Sequence, residues 1–228
     1  MYKKFLTARS PLRLLEKGLH GGLGQGNLGL VVAGHGVGKT SFLVGVALDD
    51  LLRGAHVLHV VLDQTVAHTR DFYDTVFDEM AATTHLEDEA TVHADIDRSR
   101  SIRAYPPTDF GAEKLREAIA VEESAGSKPA LVIVEGIEAS ALADEIGSWR
   151  EIARDLPAEI WISVSGEVAE NTGLPSGLAP LEDHFSVILA LEPGSDAVGL
   201  RALKDHESDD VTALRVALDP RTLLLKRS

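Results

Sequence analysis

The sequence predicts an α/β protein: a mostly parallel central sheet flanked by helices and extended by a C-terminal antiparallel β-meander. Three observations lead there. Apolar runs of five to seven residues alternate with segments of helical periodicity between residues 28 and 191. One run, Ala130 to Val134, is apolar throughout, as a strand covered on both faces must be. After Pro193-Gly194 the helical segments stop, and short strand-like runs follow at hairpin spacing.

Residues 1–27 read as an N-terminal arm. It ends in a glycine-dense lead-in, Gly18 to Asn27, laid as a loop under the first strand. Residues 28–228 read as one domain without internal repeats. Its first strand runs to Ala33, and a helix from about Lys39 to Leu52 is stopped by Gly54 in the C-cap role. His56 to Leu62 is a second strand, in which His56 and His59 read as strand residues facing a helix or solvent. It delivers Asp63 and Gln64 to its C-terminal end, the edge where open α/β sheets bind ligands. Positions 66, 69, 73, 76, 77 and 80 repeat at helical spacing, so Val66 to Met80 forms an amphipathic helix. Residues 84–108 lack sustained periodicity. His93, Asp95 and Asp97 have the residue types of a metal cluster, but strand-like alternation on a polar surface accounts for them without one.

Beyond Pro106-Pro107 a helix near 110–125 ends at Gly126, and the apolar strand 130–134 hands off to Glu135 and Gly136. Leu142, Ile146, Trp149, Ile152, Ala153 and Leu156 mark the next helix, terminated by Pro157. Ile160–Val164 and Phe185–Leu191 come next as strands, and Val198–Leu203, Val211–Leu218 and Thr222–Leu225 make up the meander.

The chemistry concentrates where the first strand meets the first long helix. Ala33-Gly34-His35-Gly36-Val37-Gly38-Lys39-Thr40-Ser41 fits the P-loop pattern once alanine is allowed at its first position. Its glycines let successive N–H groups point into one concave nest, and the helix N-terminus adds partial positive charge there. In that role Lys39 reaches the β- and γ-phosphates of a nucleotide, and the Thr40 hydroxyl holds Mg²⁺. A carboxylate on a neighbouring strand must hold the metal's water shell, and Glu135 is placed for it. Asp63 is the candidate for orienting the attacking water, on the expectation that its strand lies beside the first. Its alternative role is to cap the next helix. Glu138 is a second, weaker acid–base candidate.

Composition bounds the function. The chain has 228 residues and no cysteine, which excludes disulfides, zinc ribbons and thiol chemistry. No apolar run approaches the ~20 residues of a membrane span, and the N-terminus lacks the apolar core of a signal peptide, so a cytoplasmic location is expected. The formal charge is −14, although Lys3, Lys4, Arg9, Arg13 and Lys17 make the first twenty residues basic. An acidic body repels phosphate backbones, which argues against nucleic-acid binding. The basic arm reads as a solvated leader or as a segment docking on an acidic neighbour, including another copy.

Residues 21–42, from Gly21-Gly22-Leu23 and Gly26 through the glycine loop, resemble the start of the RecA-like ATPase core, in particular the KaiC-type clock ATPases and DnaB-type helicases. The resemblance spans roughly residues 18–226 and is strongest up to residue 65. It implies ATP and Mg²⁺ as ligands, and a ring of identical or related RecA-like subunits. Asp63 matches the family's water-activating glutamate but is one carbon shorter, and Glu135 matches the Walker B aspartate. Lys204-Asp205-His206 is similar to the Lys-x-Arg pair that such rings send into a neighbour's nucleotide site. Lys204 matches; His206 stands where arginine, which is always charged, is expected. An intact cradle with altered catalytic positions implies slow or conditional hydrolysis, as in a regulatory or self-assembly switch with a protein partner. The alternative is a non-hydrolysing nucleotide-binding scaffold; a DNA-acting motor fits less well.

Overall fold

Among its described residues the chain builds one nine-stranded sheet with helices on both faces. A computed structural model describes residues 2–166, 168, 173–208, 211 and 213–228. In chain order the elements are α1 (Lys3–Arg9), α2 (Leu12–Gly18), β1 (Leu28–Ala33), α3 (Lys39–Leu52), β2 (His56–Val61), α4 (Val66–Thr84), α5 (Glu89–Ser99) and β3 (Arg100–Ala104). Beyond them lie α6 (Ala112–Ser124), β4 (Pro129–Glu135), α7 (Ala139–Asp155), β5 (Glu159–Ser165), β6 (Val187–Pro193), β7 (Val198–Asp205), β8 (Ala213–Leu218) and β9 (Leu225–Arg227).

Strand order across the sheet is β3-β2-β4-β5-β1-β6-β7-β8-β9. The pairings from β3 to β6 are parallel, and those from β6 through β9 are antiparallel. The two-residue period of the strands sorts their side chains between two cores. Val31, Val57, Leu131, Ile133 and Trp161 face α1 to α5. Leu30, Leu58, Val60, Val132, Val134 and Ile162 face α6 and α7. Glu135 is in phase with Leu131 and Ile133, which turns its carboxylate toward α3 rather than α7.

Four expectations need correction. The N-terminal arm is not a solvated leader: α1 buries Leu6 against α3, α2 buries Leu12 and Leu15 in the same core beside β8, and Leu19 and Leu23 of the looped lead-in join them. Leucines at 12, 15 and 19 already have helical spacing. The basic side chains there dock on the chain's own acidic body, Arg13 on Asp49 and Lys3 on Asp95. Residues 84–108 hold α5 and β3 in place of alternation on a surface. Only Val92 and Ile96 of α5 are buried, too narrow a stripe for the periodicity to stand out.

The third correction concerns strand neighbours. β2 does not lie beside β1, because β4 and β5 intervene, and β4 is itself separated from β1 by β5. The late strands β6 and β9 begin two and three residues further on than expected. Asp219 accepts from the Arg221 amide and from Lys226 Nζ, which holds residues 219–224 as a turn before the chain pairs again. Among the described residues no helix is long and apolar enough to cross a membrane.

Candidate functional site

Parallel pairing brings the C-terminal ends of β1, β2, β4 and β5 to one edge, where the strand ends and the loops leaving them line a common cavity of about 380 Å³. The glycine loop forms one wall, with His35 and Gly36 exposed and Ser41 buried. Gly38 ends it at φ 122°, and a Cβ there would lie 2.5 Å from Leu218 Cδ2. The positive φ favours glycine at this point, where the chain turns sharply into α3, and the end of Leu218 would have to swing aside for a larger residue. The Gly38 carbonyl then accepts the first helical bond, from the Phe42 amide at 3.0 Å.

Lys39 turns back over the loop and donates to the carbonyls of Ala33 and Gly34, both at 3.0 Å. Burial lowers its pKa from the usual lysine value, while Glu135 and Asp63 counter that shift. It is the only lysine or arginine lining the cavity among the described residues. In the first turn of α3, Thr40 Oγ1 donates to Glu135 Oε2 at 2.8 Å. Ser163 Oγ of β5 lies 3.5 Å from the same oxygen.

Asp63 is exposed at the mouth, beside Gly136. Gly136 has φ 86°, and a Cβ on it would come within 2.8 Å of Asp63 Oδ1. Although β4 and β5 separate its strand from β1, Asp63 still reaches the cavity, because the sheet edge collects the strand ends in one row. Gln64 lines it as well. Lys39, Thr40, Asp63 and Glu135 are therefore brought together. Glu138 is not among them: its carbonyl accepts from Leu142 at the start of α7.

Lys204 lies elsewhere. It pairs with Ile188 at the start of β6, on the sheet edge opposite the glycine loop, and its Nζ donates to the Glu182 carbonyl at 3.0 Å. His206 is held against Asp205 Oδ1 at 2.8 Å and the Leu23 carbonyl at 3.1 Å. The chain's own cavity thus receives nothing from this segment.

The metal-like triplet also changes membership. His93 approaches Asp74 and Asp97, whereas Asp95 pairs with Arg98 and Lys3. Arg70 and Arg100 neutralise Asp97, so this is an ion-pair cluster on the seam between α4 and α5.

Sequence reasoning missed two kinds of site residue. Phe72 of α4 and Leu218, Pro220 and Leu223 of the meander line the cavity. Their spacing suits core packing equally well, so no local signal marked them. His59, 0% exposed, contacts Glu135 at 2.9 Å. The available signal was a histidine inside a Val/Leu strand, since a buried polar side chain requires a partner.

Oxygen ligands alone suit a hard cation such as Mg²⁺. Thr40 Oγ1 and Glu135 Oε2 face each other closely enough to share one, beside an ammonium and a helix N-terminus suited to phosphate. The donor set therefore fits a magnesium–nucleotide ligand. No protein-family model matches this chain, and no curated protein does either.

Proposed function

We propose that the chain binds ATP with Mg²⁺ at residues 33–41 and hydrolyses it slowly or conditionally, as a RecA-like or KaiC-like regulatory switch. The observation that carries this reading is the Thr40–Glu135 hydrogen bond at the mouth of the glycine loop, with Lys39 beside it. In this reading Lys39 exchanges the Ala33 and Gly34 carbonyls for β- and γ-phosphate oxygens. Thr40 and Glu135 hold the metal, directly and through its water. Bound Mg²⁺ supplies neutralisation of the charge that develops on the transferred phosphoryl group. Asp63, at the open side, orients the attacking water. That the base is adenine rests on the resemblance to RecA-like ATPases.

The position of Lys204 favours a conditional activity. A single chain places one lysine and no arginine at this cavity among the described residues, so turnover by a monomer is slow. A second copy or a related subunit supplying Lys204 from its far edge completes the site. Without such an assembly the protein is the scaffold of the alternative reading, and its acidic body disfavours nucleic acid as a ligand in either case.

Calorimetric titration with ATP tests the binding reading. Lys39→Ala lowers affinity by at least about tenfold, the cost of one charge-assisted contact, and unchanged affinity would sink the assignment. Light scattering with ADP, and with ATP plus Mg²⁺, alongside phosphate release separates the two functions. Phosphate release accompanying nucleotide-dependent assembly supports the switch. A monomer that binds ATP and releases no phosphate supports the scaffold.

A further inference from the structure

We propose that His59 is a positioning residue for the magnesium site: from inside the sheet it fixes which oxygen of Glu135 faces Thr40. The inference rests on the magnesium–nucleotide reading of this cavity and adds to it the device that holds the glutamate.

The geometry is closed on all sides. His59 sits on β2, one strand from Glu135 on β4, and in parallel register its Cα lies opposite Ile133. Both side chains point to the α3–α4 face. His59 Nε2 lies 2.9 Å from Glu135 Oε1, and His59 Nδ1 lies 3.0 Å from the Tyr73 hydroxyl of α4. His59 and Tyr73 are fully buried, with their rings edge-on at 5.7 Å and 72°. Nδ1 is the hydrogen-bond partner of the buried Tyr73 hydroxyl, and the carboxylate on the other side of the ring can only accept, so the hydroxyl donates to Nδ1. The imidazole proton is thereby assigned to Nε2, which donates to the carboxylate. Arg100 covers the Tyr73 ring at 4.5 Å and is tied to Asp97, which closes the outer end of the chain of contacts.

The arrangement explains why glutamate works where a RecA-like core has aspartate. A carboxylate one methylene longer spans from His59 to Thr40, one oxygen on each. An aspartate at 135 would reach one partner and abandon the other. Magnesium demands near-ideal octahedral geometry, so a carboxylate free to rotate is a poor holder of its water shell. A histidine that donates to the ligating carboxylate from behind removes that freedom. His59 and Glu135 act as a matched pair, with Tyr73 holding the other ring nitrogen.

The test separates metal from nucleotide. ATP binding is measured in excess EDTA and then across a Mg²⁺ titration, for the full chain and for His59→Leu, His59→Gln and Tyr73→Phe. His59→Leu raises the Mg²⁺ concentration for half-saturation by about 10–100-fold, while ATP affinity in EDTA stays within about twofold. His59→Gln, which keeps an N–H donor, recovers part of the loss. Tyr73→Phe keeps the ring and its packing, and it shifts the Mg²⁺ midpoint in the same direction by about threefold or more. Should His59→Leu fail to fold, Tyr73→Phe decides. In the chain without nucleotide, the ¹⁵N-histidine spectrum shows His59 as a fixed Nε2–H tautomer whose Nδ1 resonance shifts in Tyr73→Phe. An unchanged Mg²⁺ midpoint in both folded variants, or an Nδ1 resonance indifferent to Tyr73, overturns the inference and leaves the nucleotide site standing. A wild-type chain that binds no ATP under either condition overturns the nucleotide reading and this inference with it.

Discussion

Gly136 shows how one residue joins two strand ends. It sits at φ 86°, and a Cβ would meet the Asp63 carboxylate at 2.8 Å and the Asp63 amide nitrogen at 3.1 Å. Gly54, at φ 85°, has nothing within 4 Å of the same added atom. Gly54→Ala therefore carries backbone strain alone, about 1 kcal/mol. Gly136→Ala adds a clash with backbone and costs about 2–3 kcal/mol. Thermal melts of the two variants check this, and equal losses would mean that the Asp63 contact constrains nothing. Lys39 and Thr40 could be read from the sequence because a contiguous loop fixes their neighbours. His59 could not, because a histidine in an apolar strand is compatible with many partners and only the neighbouring strand and helix select one.

Among the elements, α7 turns a single large side chain into the anchor of the second core. Trp149 is fully buried against Phe110 at 6.2 Å, and its indole N–H has no hydrogen-bond partner among the described residues. Trp149→Ala costs about 3–5 kcal/mol through the cavity it leaves. Trp149→Phe costs about 1 kcal/mol or less, because the lost volume is offset by removing an unsatisfied donor. Urea denaturation distinguishes the two, and a large loss in the phenylalanine variant would show that the N–H has a partner. Elements with wide apolar faces, α3, α4 and α7, were legible within a few residues at each end. α5 was not, since two buried side chains on one face leave hardly any period to detect. α1 and α2 were hidden by their charge: basic residues that suggested a solvated arm are paired to acidic residues of α3 and α5.

At the scale of the whole molecule, docking of the N-terminal helices carries an electrostatic cost. Glu16, Asp49, Asp50 and Glu159 converge around Arg13 and Arg53 where α2, the lead-in, α3 and β5 meet. Burial, above all, raises Asp50 to about 7 and Asp49 to about 6, and it raises Glu159 too. The folded chain therefore keeps protons that the unfolded chain has released by about pH 4. Their contribution to stability is fully present below that pH and is lost as the pH rises through about 6 and 7. Asp50→Asn removes the main titration. The variant is more stable than wild type by about 1–2 kcal/mol at pH 8, with a flatter melting profile between about pH 5 and 8. Parallel pH profiles for the two proteins would contradict the raised pKa of this half-buried Asp50.

The sequence by itself determined the class of fold, the succession of strands and helices from residue 28 onward apart from α5 and β3, and the glycine loop with Lys39 and Thr40. All of these are consequences of local periodicity and adjacent residues. It also named Asp63 and Glu135, because a carboxylate directly after an apolar strand must emerge at a sheet edge. Tertiary structure alone decided the order in which the strands lie. The pairing of β4 and β5 between β2 and β1 is a non-local choice, settled by which apolar faces the crossover helices cover. The same order sent Lys204 to the far edge and brought His59 behind Glu135, since long-range register determines which polar groups meet and local spacing carries no record of it.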